Sequence, residues 1–234
     1  MGSKRKLAPS ILGSIQPHLR PGSVIIEPFC GGANFSIQAI DYAPVWAFDN
    51  HPYLIALLQA GSAGWQPDIH YTEAQYQAIK SAPELFPPHV VGYVGFCLSY
   101  GGKWWGGWRR DSLGKRDYVA EAQRGWQKEY LKLAKIKFAL RDYRELAIPS
   151  YGIIYADPPY ENTTGYANSF DHESFWHWAD QQTVPIFVSS YKAPLGWKVL
   201  FRKSVSNSLT RNTGATTGIE TLFAKNLDGV LNGR

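Results

Sequence analysis

Cysteine is scarce in this sequence, which has only Cys30 and Cys97 among 234 residues. Because a disulfide framework or a cysteine-rich zinc site needs more cysteines at closer spacing, neither is expected. No apolar run approaches the ~18 residues that a membrane span needs. The basic start MGSKRKLAPS is not followed by the uninterrupted apolar segment of a secretory signal. These absences favour a soluble, cytoplasmic protein in a reducing compartment.

Several catalytic patterns are also missing. The histidines His172 and His177 are five positions apart, not the four of a helical metal pair, so no metal site is expected. No GxSxG motif surrounds the serines Ser189 and Ser190, which argues against a hydrolase triad. The glycine-containing segment EPFCGGAN is neither GxGxxG nor a P-loop. A nucleoside with little phosphate charge therefore suits this segment better than ATP.

Strand and helix patterns alternate along much of the chain. Residues 24–26 and 45–48 read as apolar strands, each followed by a turn and then a helix, at 33–40 and 53–60. Further strands are predicted at 136–140, 152–156, 186–189, 199–202 and 220–224, and further helices at 118–135 and 172–182. Because parallel strands need helical crossovers, the sequence predicts an α/β fold with a mostly parallel, doubly wound sheet.

The alternation breaks after residue 61. Segments rich in glycine, proline and tryptophan, such as YGGKWWGGWRRD, follow in place of a strand and helix pattern. We interpret residues 62–135 as a small inserted subdomain, which divides the main domain into residues 1–61 and 136–234.

Acidic residues follow several of the predicted strands. Glu27, Asp49, Asp142 and Asp157 each come at or just after the end of a strand. Ligands of open α/β sheets bind beyond the carboxyl ends of the strands, so we expect these acids to converge on one crevice. There Asp49 is placed to accept hydrogen bonds from ribose hydroxyls.

The tetrapeptide DPPY, residues 157–160, is the most specific motif. Asp157 offers a carboxylate acceptor, and the two prolines stiffen the turn and leave backbone carbonyls exposed. Tyr160 adds a flat ring. An exocyclic amine held between the carboxylate and a carbonyl, and stacked on the ring, would direct its nitrogen lone pair out of the base plane.

Positive charge is concentrated in one region of a chain whose net charge is +5. Residues 103–144 hold twelve Lys/Arg against five Asp/Glu, and tryptophans lie among them. This favours a surface that contacts phosphates, although a solvated helix face fits the charge equally well. The candidate contact residues are Lys103, Trp104, Trp105, Arg109, Arg110, Lys115, Arg116, Arg124, Lys128 and Lys132.

EPFCGGAN and DPPY, in this order and separated by an insert, resemble the motifs of Dam-like, alpha-class (D12-type) DNA adenine-N6 methyltransferases. The segment GSKRKLAPSI is similar to the N-terminal Gly-Gly-Lys segment of that family, with Lys4 matching the lysine and Ser3 replacing a glycine. YGGKWWGGWRRD resembles a glycine-aromatic stretch of phage and bacterial members. The resemblance extends from residue 2 to about residue 225.

The resemblance implies a Rossmann-like methyltransferase fold that uses S-adenosylmethionine. Residues 1–61 would form the cofactor-binding part, residues 62–135 the target-recognition subdomain, and residues 136–234 the remainder with DPPY. The cofactor-binding positions would be Lys4, Glu27, Phe29, Gly31, Gly32, Asp49, Asp142 and Tyr143. The catalytic tetrad would be Asp157, Pro158, Pro159 and Tyr160.

The activity implied is methyl transfer to adenine N6 by direct attack, without a metal. Because the amine lies inside a base pair, the target base would have to be flipped out of double-stranded DNA, and single-stranded DNA would also serve. The insert is shorter than in site-specific relatives, and we expect a monomer of strict or relaxed specificity. A cytosine-N4 or RNA amine methyltransferase, or a non-catalytic DNA-binding relative, is the alternative. Related cytosine enzymes more often carry serine at the position of Asp157, which favours adenine.

Overall fold

The computed structural model of the protein describes residues 4–68, 70–111, 113–160, 170–207 and 216–227. These residues form a seven-stranded sheet with the order β3-β2-β1-β4-β5-β7-β6. The strands are β1 (Val24–Glu27), β2 (Val45–Asp49), β3 (Ile136–Leu140), β4 (Gly152–Ala156), β5 (Ile186–Ser190), β6 (Lys198–Asn207) and β7 (Thr216–Lys225). Neighbouring strands among β1 to β5 are parallel, whereas β7 lies antiparallel between β5 and β6. The predicted mostly parallel, doubly wound sheet is confirmed.

The helices are α1 (Ala8–Ile15), α2 (Ser36–Ala39), α3 (Pro52–Ser62), α4 (Glu73–Ser81), α5 (Pro88–Gly92), α6 (Tyr118–Leu133) and α7 (His172–Asp180). Side-chain caps start the two long helices that flank the insert: His51 accepts the backbone N–H of Leu54 in α3, and Asp117 accepts that of Ala120 in α6. Helix α2 begins later than predicted because Ala33 has φ of 56°, which is not helical.

Each face of the sheet is covered by its own apolar cluster. Because side chains alternate along a strand, Ile25 of β1 packs with α1, α2 and α3 on one face, while Ile26 packs with α7 on the other. Phe175 of α7 is fully buried in the second cluster. Every described helix is too short or too polar to cross a bilayer.

Residues 71–126 contribute most of a third apolar cluster, which rests on α3. Its centre is formed by Tyr76, Val91 and Tyr93. The approach to α3 is close, because a Cβ atom on Gly92 would lie 2.1 Å from the backbone oxygen of Tyr53. This separate cluster is compatible with the predicted subdomain at residues 62–135, whose boundaries and role stay a prediction.

Candidate active site

The topological switch point of the sheet lies between β1 and β4. The chain proceeds from β1 through β2 to β3 on one side, and from β4 to β5 on the other. A crevice therefore opens beyond the carboxyl ends of β1 and β4, where such sheets bind ligands. Glu27 ends β1, and Asp157 directly follows β4. Two of the predicted acids thus lie at this crevice.

The acids that follow β1, β2 and β4 act on one another electrostatically. Burial raises the pKa of Glu27 well above its ordinary value, and the negative charges of Asp157 and Asp49 raise it further. In β2, Asp49 lies two residues beyond Ala47, the register partner of Glu27. Glu27, Asp49 and Asp157, three of the four acids predicted to converge, thus lie near one another, whereas Asp142 pairs with Arg144.

Asp49 ties the glycine loop to the end of β2. One carboxylate oxygen accepts the backbone N–H of Gly31 at 3.0 Å, and the other accepts that of His51 at 3.0 Å. Gly31 has φ of 48°, a conformation that glycine adopts without strain. Burial raises the pKa of Asp49, although these backbone hydrogen bonds oppose the rise. Since a carboxylate oxygen has two lone pairs, Asp49 keeps acceptor capacity for a ligand.

Glu27 and the first helix after the glycine loop are also joined. The Ser36 hydroxyl donates a hydrogen bond to a Glu27 carboxylate oxygen, and the glutamate is 2% exposed. The loop before Ser36 is tight, because a Cβ atom on Gly32 would lie 3.2 Å from the Asn34 side-chain nitrogen. The loop and its two flanking acids therefore form a preorganised acidic edge.

An aromatic cluster borders the same region on the α7 side of the sheet. Phe29 contacts Tyr143 with ring centroids 5.3 Å apart and Phe170 with ring centroids 5.7 Å apart. Asp142 caps the turn Tyr143–Glu145, and hydrogen bonds from Arg144 lower the pKa of its carboxyl. The aromatic rings offer an apolar surface of the kind that suits a purine.

Lys4 is bound to the DPPY motif. Its ammonium Nζ lies 3.0 Å from Oδ1 of Asp157 and 2.5 Å from Oε1 of Glu220, and it contacts the Tyr160 hydroxyl. Lys4 was predicted to face the cofactor; in the structure its ammonium pairs with the first residue of the catalytic tetrad. Its role toward a cofactor stays a prediction.

Burial raises the pKa of Asp157, the Lys4 charge opposes this rise, and the Glu220 charge adds to it. Oδ1 of Asp157 is buried and forms the ion pair with the Lys4 ammonium at 3.0 Å. An N–H of a substrate would reach this oxygen by taking the place of Lys4.

Tyr160 is held at both of its ends. Its hydroxyl donates a hydrogen bond to Oε1 of Glu220 at 2.9 Å, and its ring packs on Tyr191 with centroids 4.7 Å apart. Tyr191 is partly exposed and lines a surface pocket together with Trp176 and Ser190. An aromatic surface therefore adjoins the Asp157 carboxylate.

Glu220 is the site residue that sequence reasoning missed. The segment around it was interpreted only as a closing strand, since its other residues are mostly apolar. A single acid inside IETLFA was the available clue. Its position could not be read from the sequence, because it depends on β7 pairing antiparallel with β5.

The predicted nucleic-acid contacts fall into two groups. Trp104 and Trp105 pack inward: Trp104 stacks on Tyr53 at 5.5 Å, and Trp105 meets Tyr76 at 5.3 Å. The charged residues lie mostly at the surface. Arg110 pairs with Glu73, Arg116 pairs with Glu121, and Arg109 lies over the Tyr118 ring, while Lys103 and Lys115 are exposed.

Helix α6 presents three further basic residues, Arg124, Lys128 and Lys132, at successive intervals of four. All three are exposed and share one side of the helix. Lys128 and Lys132 line a surface cleft together with Asn34 and Gln38, which flank or belong to α2. The predicted basic surface thus reaches the helix that follows the glycine loop, and its contact with DNA stays a prediction.

Residues 1–87 match the family of D12 class N6 adenine-specific DNA methyltransferases. The matched segment contains Lys4, Glu27, the glycine loop and Asp49, whereas DPPY lies beyond it. The match covers a little over a third of the chain, so residues 1–87 are similar to D12-type methyltransferases. The methyl donor of the protein is accordingly S-adenosylmethionine.

No curated protein matches the sequence of this chain. Among solved structures, the tRNA m1G37 methyltransferase of M. jannaschii has 13% identity and a TM-score of 0.42, covering 96% of this chain and 49% of that chain. Magnesium protoporphyrin IX methyltransferase from Synechocystis, solved with bound S-adenosylmethionine, has 12% identity and a TM-score of 0.41, covering 94% and 79%. These likenesses are distant, and the fold assignment depends on the strand order described above.

The residues of the crevice fit this methyl donor. The donor carries a sulfonium and an ammonium group, and the structure supplies the buried Glu27 and the half-buried Asp49 carboxylates beside a glycine loop that lets a ligand approach the backbone. No group of three or more His, Cys, Asp or Glu side chains in the described ranges is arranged to hold a metal ion.

Proposed function

We propose that this protein is a D12-type methyltransferase that methylates N6 of adenine in DNA, after the target base leaves the helix. The observation that carries the proposal is the environment of Asp157. Its buried Oδ1 lies beside the switch point and is paired with the Lys4 ammonium at 3.0 Å. An exocyclic amine can take the place of this cation by donating one N–H to the carboxylate.

Glu27 and Asp49 would hold S-adenosylmethionine, which would supply a methyl carbon activated by its positive sulfur. The amine nitrogen would attack this carbon with its lone pair, and the N–C bond would form as the C–S bond breaks and its electron pair stays on sulfur. Asp157 accepts an N–H of the amine and so stabilises the positive charge that develops on nitrogen. The resulting ammonium then loses its extra proton to Asp157 or to water.

The main task of the protein is alignment, which is worth roughly 7–11 kcal/mol in well-oriented reactions. Glu27 and Asp49 would hold the donor from the β1 and β2 side, and Phe29 with Tyr143 would contact its purine. Asp157 would hold the acceptor from the β4 side. The two reactants would therefore meet across the switch point.

Base flipping is part of the proposal. Extruding a base costs a few kcal/mol, which is lowest for mismatched or single-stranded DNA. The adjoining rings of Tyr160 and Tyr191 provide a stacking surface for an extruded base, and stacking on aromatic side chains contributes about 1–3 kcal/mol per base. The presence of this aromatic surface is evidence in favour of an adenine bound beside Asp157.

The test is methyl transfer from labelled S-adenosylmethionine to unmethylated DNA, followed by mass spectrometry of the nucleosides. We expect N6-methyladenine from the wild-type protein, and a loss of at least about 10³-fold for Asp157→Ala with DNA affinity retained. Removal of one charge-stabilising group costs about 10²–10³-fold in comparable sites, and Asp157 also orients the amine.

Asp41→Ala is the matched control, since Asp41 is exposed and lies away from the DPPY motif. N4-methylcytosine, or methylation of RNA in preference to DNA, would replace the proposed substrate with an alternative. Absence of transfer from the wild-type protein would favour a non-catalytic DNA-binding role. Full activity of the Asp157 variant would refute the assigned chemistry.

A further inference from the structure

Glu220 joins parts of the chain that the sequence keeps far apart. Strand β7 runs antiparallel to β5, and its Thr221 pairs with Ser190 at the carboxyl end of β5. Glu220 immediately precedes Thr221 in β7 and, because the two strands are antiparallel, lies just beyond the carboxyl end of β5, at the edge where β4 also ends. Its carboxylate meets Lys4 from the turn before α1 and Tyr160 from the DPPY motif.

One oxygen of Glu220 has two partners. Oε1 lies 2.5 Å from Nζ of Lys4 and accepts the Tyr160 hydroxyl at 2.9 Å. Lys4 and Glu220 are each only 6% exposed. Long-chain charged residues are seldom buried to this degree unless they are paired, so both depend on the contact.

The charges of this cluster are unequal. One ammonium, Lys4, lies between two carboxylates, Asp157 and Glu220. If Asp157 were its sole partner, an incoming amine would have to break a buried one-to-one ion pair, which leaves an uncompensated charge. With Glu220 present, Lys4 keeps a carboxylate partner when a substrate takes its place on Asp157.

We propose that Glu220 is a positioning residue of the reaction: it retains Lys4 and the Tyr160 hydroxyl, so that the target amine can replace Lys4 at Oδ1 of Asp157. No covalent bond to the protein changes in this exchange. The Lys4 ammonium, which pairs with both Asp157 and Glu220, then pairs with Glu220 alone. The substrate N–H takes its place on Oδ1 of Asp157. The inference rests on the proposed function for its substrate, whereas the Lys4–Glu220 coupling stands on the geometry alone.

The first arm of the test measures this coupling without substrate. In protein labelled with ¹⁵N at lysine side chains, the Lys4 signal is assigned by its disappearance in Lys4→Met. Burial lowers the pKa of Lys4, and the charges of Asp157 and Glu220 more than offset this effect. Glu220→Gln removes one of these charges, so the Lys4 titration should move to lower pH. An unchanged titration would overturn the proposal.

The second arm measures turnover. Glu220→Gln keeps the shape but not the charge, and misplacement near a reacting centre can cost on the order of 10²-fold. We expect a fall in kcat of about that size with little change in KM for S-adenosylmethionine. Glu84→Gln, the same change at an exposed site, should leave kcat unaltered. Equal turnover in the two variants would contradict a positioning role.

The pH profile separates positioning from a general loss of structure. The titratable groups that interact electrostatically with the Asp157 carboxyl are Lys4, Tyr160, Glu220, Tyr155 and Glu27. Because the Glu220 charge raises the pKa of Asp157, its removal should move the acid limb of kcat to lower pH. A limb that stays in place would indicate a merely structural role and so count against the proposal.

A double-mutant cycle tests whether Glu220 acts on the reaction through Lys4. If Glu220 acts through Lys4, the double variant Lys4→Met/Glu220→Gln should lose no more than Lys4→Met alone, and additive losses would overturn this route. Should Glu220→Gln fail to fold, Glu220→Asp retains the charge and enters the same cycle, with a partial loss expected. A wild-type protein without methyltransferase activity would refute the proposed function, while the lysine titration would still decide the coupling.

Discussion

The buried carboxylates are the main chemical feature of the site. Glu27, Asp49, Asp157 and Glu220 are all mostly withdrawn from water, and Lys4 contacts two of them. Ionised groups lose hydration when they are buried, so the site without ligand is electrostatically unfavourable. A cationic ligand such as a sulfonium compound would relieve this cost.

Glu27 shows the effect of this burial on a single carboxyl group. Its pKa is raised well above 4.5, so the folded protein binds this proton more tightly than the unfolded chain does. As pH rises above about 4.5, the wild-type protein therefore loses stability until the raised pKa is passed. In Glu27→Gln that loss is removed. We expect the variant to gain in melting temperature relative to wild type as pH rises toward neutral, while its affinity for S-adenosylmethionine falls.

Thermal unfolding without ligand from pH 4.5 to 8, and calorimetric titration of the methyl donor, check this prediction. Glu84→Gln is again the control, because that glutamate is exposed. A difference between variant and wild type that stays constant with pH would show that the Glu27 charge does not limit stability.

Individual positions differ in how far the sequence could identify them. The acids at strand ends were predictable because the strands themselves are apolar and the ligand edge of such sheets is known. The partners of Lys4 were not predictable, since its nearest contacts are Asp157, Tyr160 and Glu220, which are remote in sequence.

Close helix packing fixes the position of the insert. Helices α3 and α5 approach so closely that a Cβ atom on Gly92 would lie 2.1 Å from the Tyr53 backbone oxygen. Since the obstacle is backbone rather than a flexible side chain, Gly92→Ala must separate the helices. Overpacking of this kind costs about 1–3 kcal/mol, and each kcal/mol lowers Tm by about 2–4 °C in a chain of this size.

Gly125→Ala in the interior of α6 is the matched control. A Cβ atom there meets nothing within 4 Å, and replacing glycine in a helix stabilises by roughly 0.5–1 kcal/mol. We expect calorimetry to show a lower Tm for the Gly92 variant and an unchanged or higher Tm for the Gly125 variant. Similar effects in both would contradict the role of close approach at Gly92.

The strands of the parallel part were predicted to within one or two residues, because each is a short apolar run between turn residues. Strands β6 and β7 are longer than predicted, at Lys198–Asn207 and Thr216–Lys225. Their outer halves, KSVSN and TTGIE, mix polar and apolar residues and so lack the apolar run used to find the others. They are in strands because they pair with each other.

The strand order of the sheet is a property of the complete chain. The sequence predicted parallel pairing, but not that β7 would lie between β5 and β6, because no local pattern specifies which of two distant strands becomes the neighbour. The family resemblance supplied the general fold, and the structure supplied the position of β7, on which the contacts of Glu220 depend.

Charge is unevenly distributed over the protein, and this leads to a prediction for DNA binding. Each phosphate contact contributes about −0.9 to the slope of log affinity against log salt for duplex DNA. If Lys128 and Lys132 contact phosphates, Lys128→Ala/Lys132→Ala should weaken binding to all sequences and reduce the slope by up to about 2. Fluorescence anisotropy over a salt series measures both quantities.

Lys80→Ala is the control, because it removes one positive charge from an exposed position on α4 that lies outside the basic region. A slope that remains unchanged in the double variant would assign Lys128 and Lys132 to an ordinary solvated helix face.

The placement of β7 also bears on how the enzyme is made. Lys4 leaves the ribosome long before Glu220, yet the two form an ion pair beside the Asp157 carboxylate. All residues between them must therefore emerge before this arrangement can form. We expect nascent chains that end before β7 to be unable to transfer methyl groups, however well their earlier strands have formed.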